Sequence, residues 1–493
     1  MKDNSNKNAN CNLGLEEPTI FEQSQAGRVG FDFGKGDVPN IDAKNILGAS
    51  LWREGAPNLP ELSEVDVTRH FTRLSTYNYS KDLGFYPLGS CTMKHNPKVA
   101  SQVASFCGFT KTHPYQDATS VQGNLELLFD LQTMLADIGG MDAVTLWPAA
   151  GSHGELTGML MIRAYHTSQG NSRQKVIIPD SAHGTNPASA ALCGYQVVQI
   201  KSNEEGVLDP EHVAAVMDEE VAAIMITNPN TLGVFEKHFG EIAKIVHDKG
   251  GLVYCDGANL NALMGYVRLG EIGCDVMHFN LHKTFGTPHG GGGPGAGPVG
   301  VKKILEPFLP NPIVVKDNKG NFKLETASQS IGRIKSFYGN FSVLVRAYVY
   351  LKELGSAGLQ RATELAVLNA NYIRARLKNA YHLPYNDHVL HECVFSDKIQ
   401  NEYGIKTLDI AKRLMDYGFH PPTVYFPLIV PGALMIEPTE TENKQLLDSF
   451  CEAMLAIAEE AKNNPELVKN APHKTFRARL DEVKAAREPC LKK

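Results

Sequence analysis

A lysine and an aspartate follow two short apolar segments, and their side chains suit the chemistry of an aldehyde coenzyme. Leu252-Val-Tyr-Cys leads into Asp256, and Asp275-Val-Met-His-Phe-Asn-Leu leads into His282 and Lys283, 27 residues after the aspartate. A lysine can form an imine with such a coenzyme, and a carboxylate can keep a pyridine nitrogen protonated. The pair therefore predicts pyridoxal 5′-phosphate (PLP), attached at Lys283 and held at its ring nitrogen by Asp256.

Neither residue is specific when it is considered alone. A surface lysine at the end of a strand is common, and an aspartate there often caps the following turn. The prediction gains weight because further residues that suit PLP occur around them in a consistent order. These residues lie on two earlier segments and directly after Asp256.

The first earlier segment, Ala149-Ala-Gly-Ser-His-Gly-Glu155, follows an apolar run that ends at Trp147 and opens a helix. Free N–H groups at a helix start bind anions, so Gly151, Ser152 and His153 are candidates for holding the phosphate. A simple strand-to-helix turn would have the same appearance. The signal from this segment is therefore weak by itself.

The second earlier segment, Asp180-Ser-Ala-His-Gly-Thr-Asn-Pro187, places His183 just past another predicted strand, where its ring could stack on the cofactor. A solvated loop histidine is the ordinary alternative. Ala258, two residues after Asp256, is small enough to pack against the opposite face of the ring.

A glycine-rich run after Lys283 resembles a dinucleotide-binding motif, but we reject that interpretation. Gly295, Gly297 and Gly300 match the G-x-G-x-x-G spacing. Pro298 lies inside the match, however, and no clean strand–turn–helix unit surrounds it. A loop packed beside the cofactor is the favoured interpretation.

Strands and helices that alternate between residues 121 and 300 are expected to position these side chains. Such alternation predicts a mostly parallel sheet with helices on both faces, and ligands bind such sheets beyond the carboxyl ends of the strands. After residue 300 the sequence is mostly helical, with short strands predicted at 388–395 and 432–437. We expect an N-terminal arm and site-lining segment (1–120), a large PLP-binding domain (121–330) and a small α+β domain with a basic tail (331–493).

Composition excludes several classes of function. The net charge of −6 gives no reason to expect a nucleic-acid partner, and no apolar run is long enough to span a membrane. The nine cysteines show no metal-binding spacing, so no metal is expected. The polar first residues lack the apolar core of a secretory signal, which favours the cytoplasm.

With these residues identified, nearly the whole chain from about residue 40 resembles the PLP-bearing half of glycine decarboxylase, the P-protein of the glycine cleavage system. Several motifs carry the resemblance in the same order along the chain. They are Phe85-Tyr-Pro-Leu-Gly-Ser-Cys-Thr-Met-Lys94, Ala150-Gly-Ser-His-Gly-Glu155, Ala182-His-Gly-Thr-Asn-Pro187, Asp256-Gly-Ala-Asn-Leu-Asn261, His278-Phe-Asn-Leu-His-Lys-Thr-Phe285, His289-Gly-Gly-Gly-Gly-Pro-Gly295, Glu437-Pro-Thr-Glu440 and Arg479-Leu-Asp-Glu482. Ser152 stands where alanine is expected.

The resemblance implies an α/β fold of the PLP-dependent transferase fold type I (aspartate-aminotransferase-like), with Lys283 as the cofactor lysine. It implies glycine dehydrogenase (aminomethyl-transferring) activity: glycine loses CO2, and its aminomethyl group passes to the lipoyl arm of the H-protein. Because only the lysine-bearing half is present, it also implies a partner, glycine decarboxylase subunit 1, with two copies of each subunit. His282, or a histidine of the N-terminal site-lining segment, could move protons.

Other interpretations remain open from the sequence. Another fold type I PLP enzyme, such as an amino acid decarboxylase, an aminotransferase or a desulfurase, is the main alternative. Arg333 or Lys335 could then clamp a substrate carboxylate. A non-catalytic scaffold subunit is disfavoured by Lys283 and Asp256. Cys91 is a candidate for a regulatory disulfide, although an inert buried thiol is the more ordinary expectation.

Overall fold

The computed structural model describes residues 13–32, 34–290, 295–385 and 389–491. Most of residues 13–61 are exposed, as expected for an arm. Four short helices occupy the N-terminal part of the chain: α1 (Ala43–Leu47), α2 (Glu64–Ser75), α3 (Lys98–Ala104) and α4 (Cys107–Thr110). Helix α2 begins at a capping box in which Ser63 and Asp66 satisfy each other's backbone N–H groups.

A seven-stranded sheet forms the centre of the molecule, in the order β1-β7-β6-β5-β4-β2-β3. Its strands are β1 (Ala143–Thr145), β2 (Lys175–Pro179), β3 (Gln196–Ile200), β4 (Val221–Thr227), β5 (Leu252–Gly257), β6 (Val276–Phe279) and β7 (Val299–Val301). In the sheet, the strands β3, β2, β4, β5 and β6 lie side by side in that order and are all parallel. Strand β7 runs antiparallel to both of its neighbours, β6 and β1. The mostly parallel sheet predicted from the sequence is confirmed.

Strand β4 shows why both faces of the sheet are covered. All seven of its residues are buried. Ile224 and Ile226 belong to one hydrophobic cluster, and the alternate residues Ala223 and Met225 belong to another. Helix α5 (Gln122–Gly139) precedes the first strand, and the helices between the strands are α6 (Gly151–Ser168), α7 (Thr185–Leu192), α8 (Pro210–Val216), α9 (Phe239–Asp248) and α10 (Leu281–Thr284).

One long helix joins the two main parts of the protein. After a hairpin of β8 (Ile313–Lys316) and β9 (Phe322–Glu325), helix α11 (Phe341–Leu377) runs from the sheet's hydrophobic cluster into a separate C-terminal cluster. Gly355 interrupts it with non-helical backbone. The sequence pattern predicts two amphipathic helical runs, Val343–Leu354 and Leu359–Lys378, and these two runs meet at the kink.

The C-terminal part is a small α+β unit, as the sequence predicted. Its strands are β10 (Cys393–Ser396), β11 (Thr423–Val424) and β12 (Ala433–Ile436), and its helices are α12 (Lys398–Asn401), α13 (Thr407–Asp416), α14 (Lys444–Asn463), α15 (Pro465–Lys469) and α16 (Glu482–Arg487). Both edge strands pair antiparallel with β12. Residue 388 of the predicted strand and residues 291–294 of the glycine-rich run lie outside the described residues. The domain boundaries remain predictions.

The early segment around residue 85 packs against this C-terminal unit. Phe85 is fully buried in the C-terminal cluster, with its ring edge-on to that of Phe450 at 4.9 Å. Leu88 forms an isolated antiparallel bridge with Ile436. The segment therefore belongs to the C-terminal core in space, although more than 300 residues separate them in sequence.

Within the ranges that the structure covers, we find no helix of the length and apolarity required to cross a membrane.

We expect Phe85→Ala to lower the free energy of unfolding by about 3–5 kcal/mol, because it leaves a cavity in the C-terminal cluster. Urea denaturation followed by circular dichroism measures the change. Phe106→Ala is the matched control: Phe106 is 57% exposed, and its loss should change the free energy by no more than about 0.5 kcal/mol. Equal effects of the two substitutions would contradict the packing described for Phe85.

Candidate active site

A cavity of about 350 Å³ lies where β4, β5 and β6 end and α6 begins. This is the position expected for a ligand of a parallel sheet. Residues from the early segment, from both earlier motifs and from the glycine-rich run contribute to its wall. They are Ser90, Ala150, Gly151, Ser152, Glu155, His183, Thr185, Thr227, Thr231, Asp256, Ala258, Asn259, His278, Asn280, His282, Lys283, His289 and Gly295.

Asp256 is a buried carboxylate held by a defined set of partners. Its oxygens accept hydrogen bonds from the Ala258 N–H (2.9 Å) and from Asn186 Nδ2 (3.2 Å), and Nε2 of His278 lies 3.4 Å away. Burial by itself raises the pKa of this carboxyl, but His278, Lys283 and the two hydrogen bonds outweigh burial and leave the pKa below its ordinary value. Asp256 is therefore ionised at neutral pH.

Lys283 lies in the short helix α10, which starts directly after β6. It lines the same cavity as Asp256, and its charge contributes to the lowered pKa of that carboxyl. The structure thus brings together the two residues on which the sequence argument rests. Lys94 supports this helix, since its buried ammonium donates to the carbonyl oxygen of Thr284 at 2.8 Å.

The start of α6 forms a cradle at the cavity wall. Ala150 occupies the N-cap position without a side-chain cap, and Gly151 and Ser152 line the cavity. A Cβ on Gly151 would lie 2.2 Å from Oδ1 of Asn280, so a larger residue there would require the Asn280 side chain to move. His153 is not one of the described lining residues: its Nδ1 turns back to accept the N–H of Ala149 at 3.1 Å.

The other predicted residues lie around the cavity in different settings. His183 is exposed at the cavity, and its Nδ1 lies 2.9 Å from Oγ1 of Thr185. Ala258 lines the cavity and also supports Asp256 through its N–H, a role that the sequence did not suggest. Burial, followed by the neighbouring His289, lowers the pKa of His282 to about 3, so its ring is neutral at pH 7.

Glu155 is a residue of the site that sequence reasoning missed. It is 4% exposed and accepts hydrogen bonds from Oγ1 of Thr185 (2.8 Å) and Nδ2 of Asn186 (2.9 Å). Burial, and next the charge of Asp256, raise the pKa of Glu155 to about 7. Asn186 joins the two carboxyl groups, so one amide helps hold Asp256 ionised beside a carboxyl that retains a proton more readily. Both residues occur in the motifs quoted above, but only the fold places them together.

The residues present fit PLP. A lysine, an ionised buried carboxylate and an uncapped helix start surround one cavity, and each matches a different part of the cofactor. Among the described residues, Oγ1 of Thr227 and Oδ1 of Asn280 are buried without a hydrogen-bond partner, and both residues line the cavity. Buried polar atoms of this kind usually have a partner, and a bound polar ligand would supply one.

The residues proposed for a substrate-carboxylate clamp lie elsewhere. Arg333 stacks over the rings of Tyr115 and Tyr338, at 5.7 and 5.9 Å from their centroids. Neither Arg333 nor Lys335 is among the described residues that line the cavity. Burial raises the pKa of Cys91, which disfavours a reactive thiolate, and the disulfide hypothesis remains a prediction.

Comparison with known proteins agrees with this geometry. A protein of Listeria monocytogenes described as "Probable glycine dehydrogenase (decarboxylating) subunit 2" is 56% identical over 483 residues, which cover 97% of this chain and 99% of the relative. This chain belongs to that family. A relative with the same description from Lysinibacillus sphaericus is 55% identical over 475 residues, covering 96% and 98% of the two chains.

Family models and solved structures extend the match. Residues 362–475 match the C-terminal domain of glycine dehydrogenase, and residues 155–293 match the aminotransferase class-V family. The fold is similar to that of a crystal structure of glycine decarboxylase (P-protein), with a TM-score of 0.69, 22% identity and coverage of 84% of this chain and 94% of that one. A cysteine desulfurase from Escherichia coli has a TM-score of 0.60 at 14% identity, covering 77% and 96%. The predicted fold type I architecture, the family and PLP as cofactor are confirmed.

We expect PLP to be attached at Lys283. Borohydride reduction of the loaded protein, followed by proteolysis and mass spectrometry, should place the pyridoxyl group on the peptide that contains Lys283. Lys283→Ala should abolish both this label and the visible absorption band of the bound cofactor. Lys302→Ala is the control, because Lys302 is partly exposed and its ammonium donates to the carbonyl of Gly140 instead. An unchanged band in Lys283→Ala would exclude this attachment.

Proposed function

We propose that this chain removes CO2 from glycine and passes the remaining aminomethyl group to the lipoyl arm of an H-protein. The observation that carries the proposal is the shared cavity of Asp256 and Lys283 in a chain that is 56% identical to a glycine dehydrogenase (decarboxylating) subunit 2. The H-protein and its lipoyl arm belong to this proposal through the resemblance of the chain to the P-protein of the glycine cleavage system.

Each group of the cavity has a distinct task in this reaction. Bound PLP supplies the electron sink for the charge left on the glycine carbon when CO2 departs. Asp256 keeps the negative charge that a protonated ring nitrogen needs, because its hydrogen bonds and the nearby Lys283 hold it ionised. The start of α6 would bind the phosphate through backbone N–H groups. Lys283 would hold the cofactor through its side-chain amine.

Asp256→Asn tests this assignment. Without the carboxylate the ring nitrogen loses its counter-charge, and we expect exchange of labelled bicarbonate into the carboxyl group of glycine to fall on the order of a hundredfold or more. The assay uses the PLP-loaded protein with partner subunit and lipoylated H-protein.

The matched control for that variant is Asp275→Asn. Asp275 is also a buried carboxylate of the same sheet, but it lies before β6 and bonds the N–H of Val253 (2.8 Å) and Nε2 of His247 (2.7 Å). It should retain exchange. Formation of a keto acid from an amino acid, without bicarbonate exchange, would favour the aminotransferase alternative and overturn the proposal.

A partner subunit is also part of the proposed function. The relatives are named as subunit 2, and the N-terminal arm of this chain exposes a series of large apolar side chains that a monomer would leave in water. They include Val38, Ile41 and Leu51, which are 72%, 71% and 74% exposed. We propose that a subunit 1 covers this arm.

The eight described cysteines are all free, which supports a reducing compartment such as the cytoplasm.

The combined variant Val38→Ser/Ile41→Ser/Leu51→Ser should weaken binding to subunit 1 by tenfold or more, because each apolar side chain contributes roughly 1.5–3 kcal/mol when it is fully buried. Titration calorimetry measures the Kd. Leu192→Ser, at a residue that is 75% exposed but lies on α7, is the control and should leave the Kd unchanged. Unaltered binding by the triple variant would show that the arm is not the contact surface.

A further inference from the structure

Two buried glutamates of the C-terminal unit face each other beside the cavity. Glu392 precedes β10 and Glu437 follows β12, and the ladder between these strands pairs Cys393 with Ile436. The two side chains are completely buried. One carboxyl oxygen of each glutamate and one ring nitrogen of His391 all lie within 4.8 Å of one another. Two carboxylates this close cannot both carry a charge in a buried site without a large cost.

Each glutamate holds one residue of the early segment through that residue's N–H and hydroxyl groups. Glu392 accepts the N–H of Ser90 at 2.6 Å and its hydroxyl at 3.0 Å. Glu437 accepts the N–H of Thr92 at 2.9 Å and its hydroxyl at 2.5 Å. Ser90 and Thr92 have φ of 57° and 46°, in the left-handed region that a β-branched residue such as threonine rarely adopts. Strained backbone of this kind persists only where its surroundings impose it.

The strained segment connects directly to the reaction site. Ser90 lines the cavity, and Cys91 between the two held residues is close enough to Lys283 for that charge to affect its pKa. Lys94 lies two residues after Thr92. Its Nζ is 2.6 Å from a carboxylate oxygen of Glu440 and also donates to the carbonyl oxygen of Thr284. Residues 90, 92 and 94 are thus each held by a buried or nearly buried glutamate, and the last of them touches the helix that carries Lys283.

We propose that Glu392 and Glu437 are positioning residues that share one proton and, in that state, hold residues 90–92 as a wall of the reaction cavity beside Lys283. This inference rests on the proposed function, because its main measurement is the reaction of glycine. One carboxyl stays neutral and the other stays ionised, and together they accept hydrogen bonds from the N–H and hydroxyl groups of Ser90 and Thr92.

The charges around the pair determine its pH dependence. The titratable groups that face it are His391, Cys91, Lys94 and Lys283. Burial raises the pKa of Glu437 to about 7, and burial together with the charge of Glu437 raises the pKa of Glu392 well above its ordinary value. The shared proton is therefore present at neutral pH and is lost as the pH rises.

His391 is not the holder of this proton. Burial lowers its pKa to about 3, and among the described residues neither of its ring nitrogens has a hydrogen-bond partner. Its Nε2 lies 3.9 Å from Glu392 and 4.0 Å from Glu437, beyond hydrogen-bond distance. The three groups could also surround a metal ion, so metal analysis is part of the test.

The experiment compares Glu392→Gln with Glu392→Ala in the PLP-loaded protein assembled with its partner subunit. An amide has the shape of a neutral carboxyl, so Glu392→Gln should keep bicarbonate exchange within about threefold at pH 7, whereas Glu392→Ala should lose tenfold or more. With one site permanently neutral, the loss of exchange at alkaline pH should move upward by at least one pH unit in Glu392→Gln.

Glu236→Gln is the matched control. Glu236 is another buried carboxyl whose pKa burial raises to about 7, and it accepts the N–H of Leu208 (2.9 Å) and Nδ2 of Asn230 (2.8 Å), away from the early segment. Its substitution should leave unchanged the alkaline pH at which bicarbonate exchange is lost. If Glu392→Ala does not fold, the comparison of Glu392→Gln with the unmodified protein still decides the question.

Three results would overturn the inference. The first is loss of bicarbonate exchange at the same alkaline pH in Glu392→Gln and in the unmodified protein. The second is an equal upward shift of that pH in Glu392→Gln and Glu236→Gln, and the third is one equivalent of tightly bound metal in the loaded protein.

The pH titration of the visible band of bound PLP, without glycine or H-protein, separates this inference from the proposed function. If the unmodified protein shows no exchange but Glu392→Gln still shifts that titration, the proposed reaction is wrong and the positioning role stands.

Discussion

An ionised carboxylate inside a protein is costly, and the site of this protein is arranged around one of them. Asp256 stays charged because an amide, a backbone N–H, a buried histidine and a lysine all face it. Those partners come from α7, from the turn after β5, from β6 and from α10. The parallel sheet is what brings them together, since neighbouring strands deliver their carboxyl ends to one edge.

The same constraint explains the unequal roles of the acids nearby. Glu155 accepts hydrogen bonds from Asn186 and Thr185, but burial and the charge of Asp256 outweigh them, so the pKa of Glu155 rises while that of Asp256 falls. The pKa values of two carboxyl groups in one buried site separate in this way when one group already carries the negative charge that disfavours ionisation of the other. The site therefore contains a fixed negative charge and, beside it, a carboxyl that can gain or lose a proton near neutral pH.

Lys283 and Asp256 could be predicted from the sequence because each follows a short apolar strand, and the order of strands along the chain fixes the edge at which both emerge. The helix start at Gly151 could be predicted for a similar reason. His153 could not be placed, because its side-chain direction depends on the turn of α6 around it. Glu437 occurs in one of the family motifs, but neither it nor Glu392 could be placed beside the site, because nothing local shows that Ser90 and Thr92 lie next to them. The kink at Gly355 joins two predicted helices, and its glycine alone does not show whether the helix ends or continues.

The long-range attachment of the early segment has a consequence for biosynthesis. The bonds from Ser90 to Glu392 and from Thr92 to Glu437 span 302 and 345 residues. Translation adds both glutamates only after the last strand of the seven-stranded sheet, β7, so the sheet can assemble before the wall beside Lys283 exists. The nascent chain thus passes through a stage in which the coenzyme pocket is open on that side, and the pocket can close only after the C-terminal unit has been made.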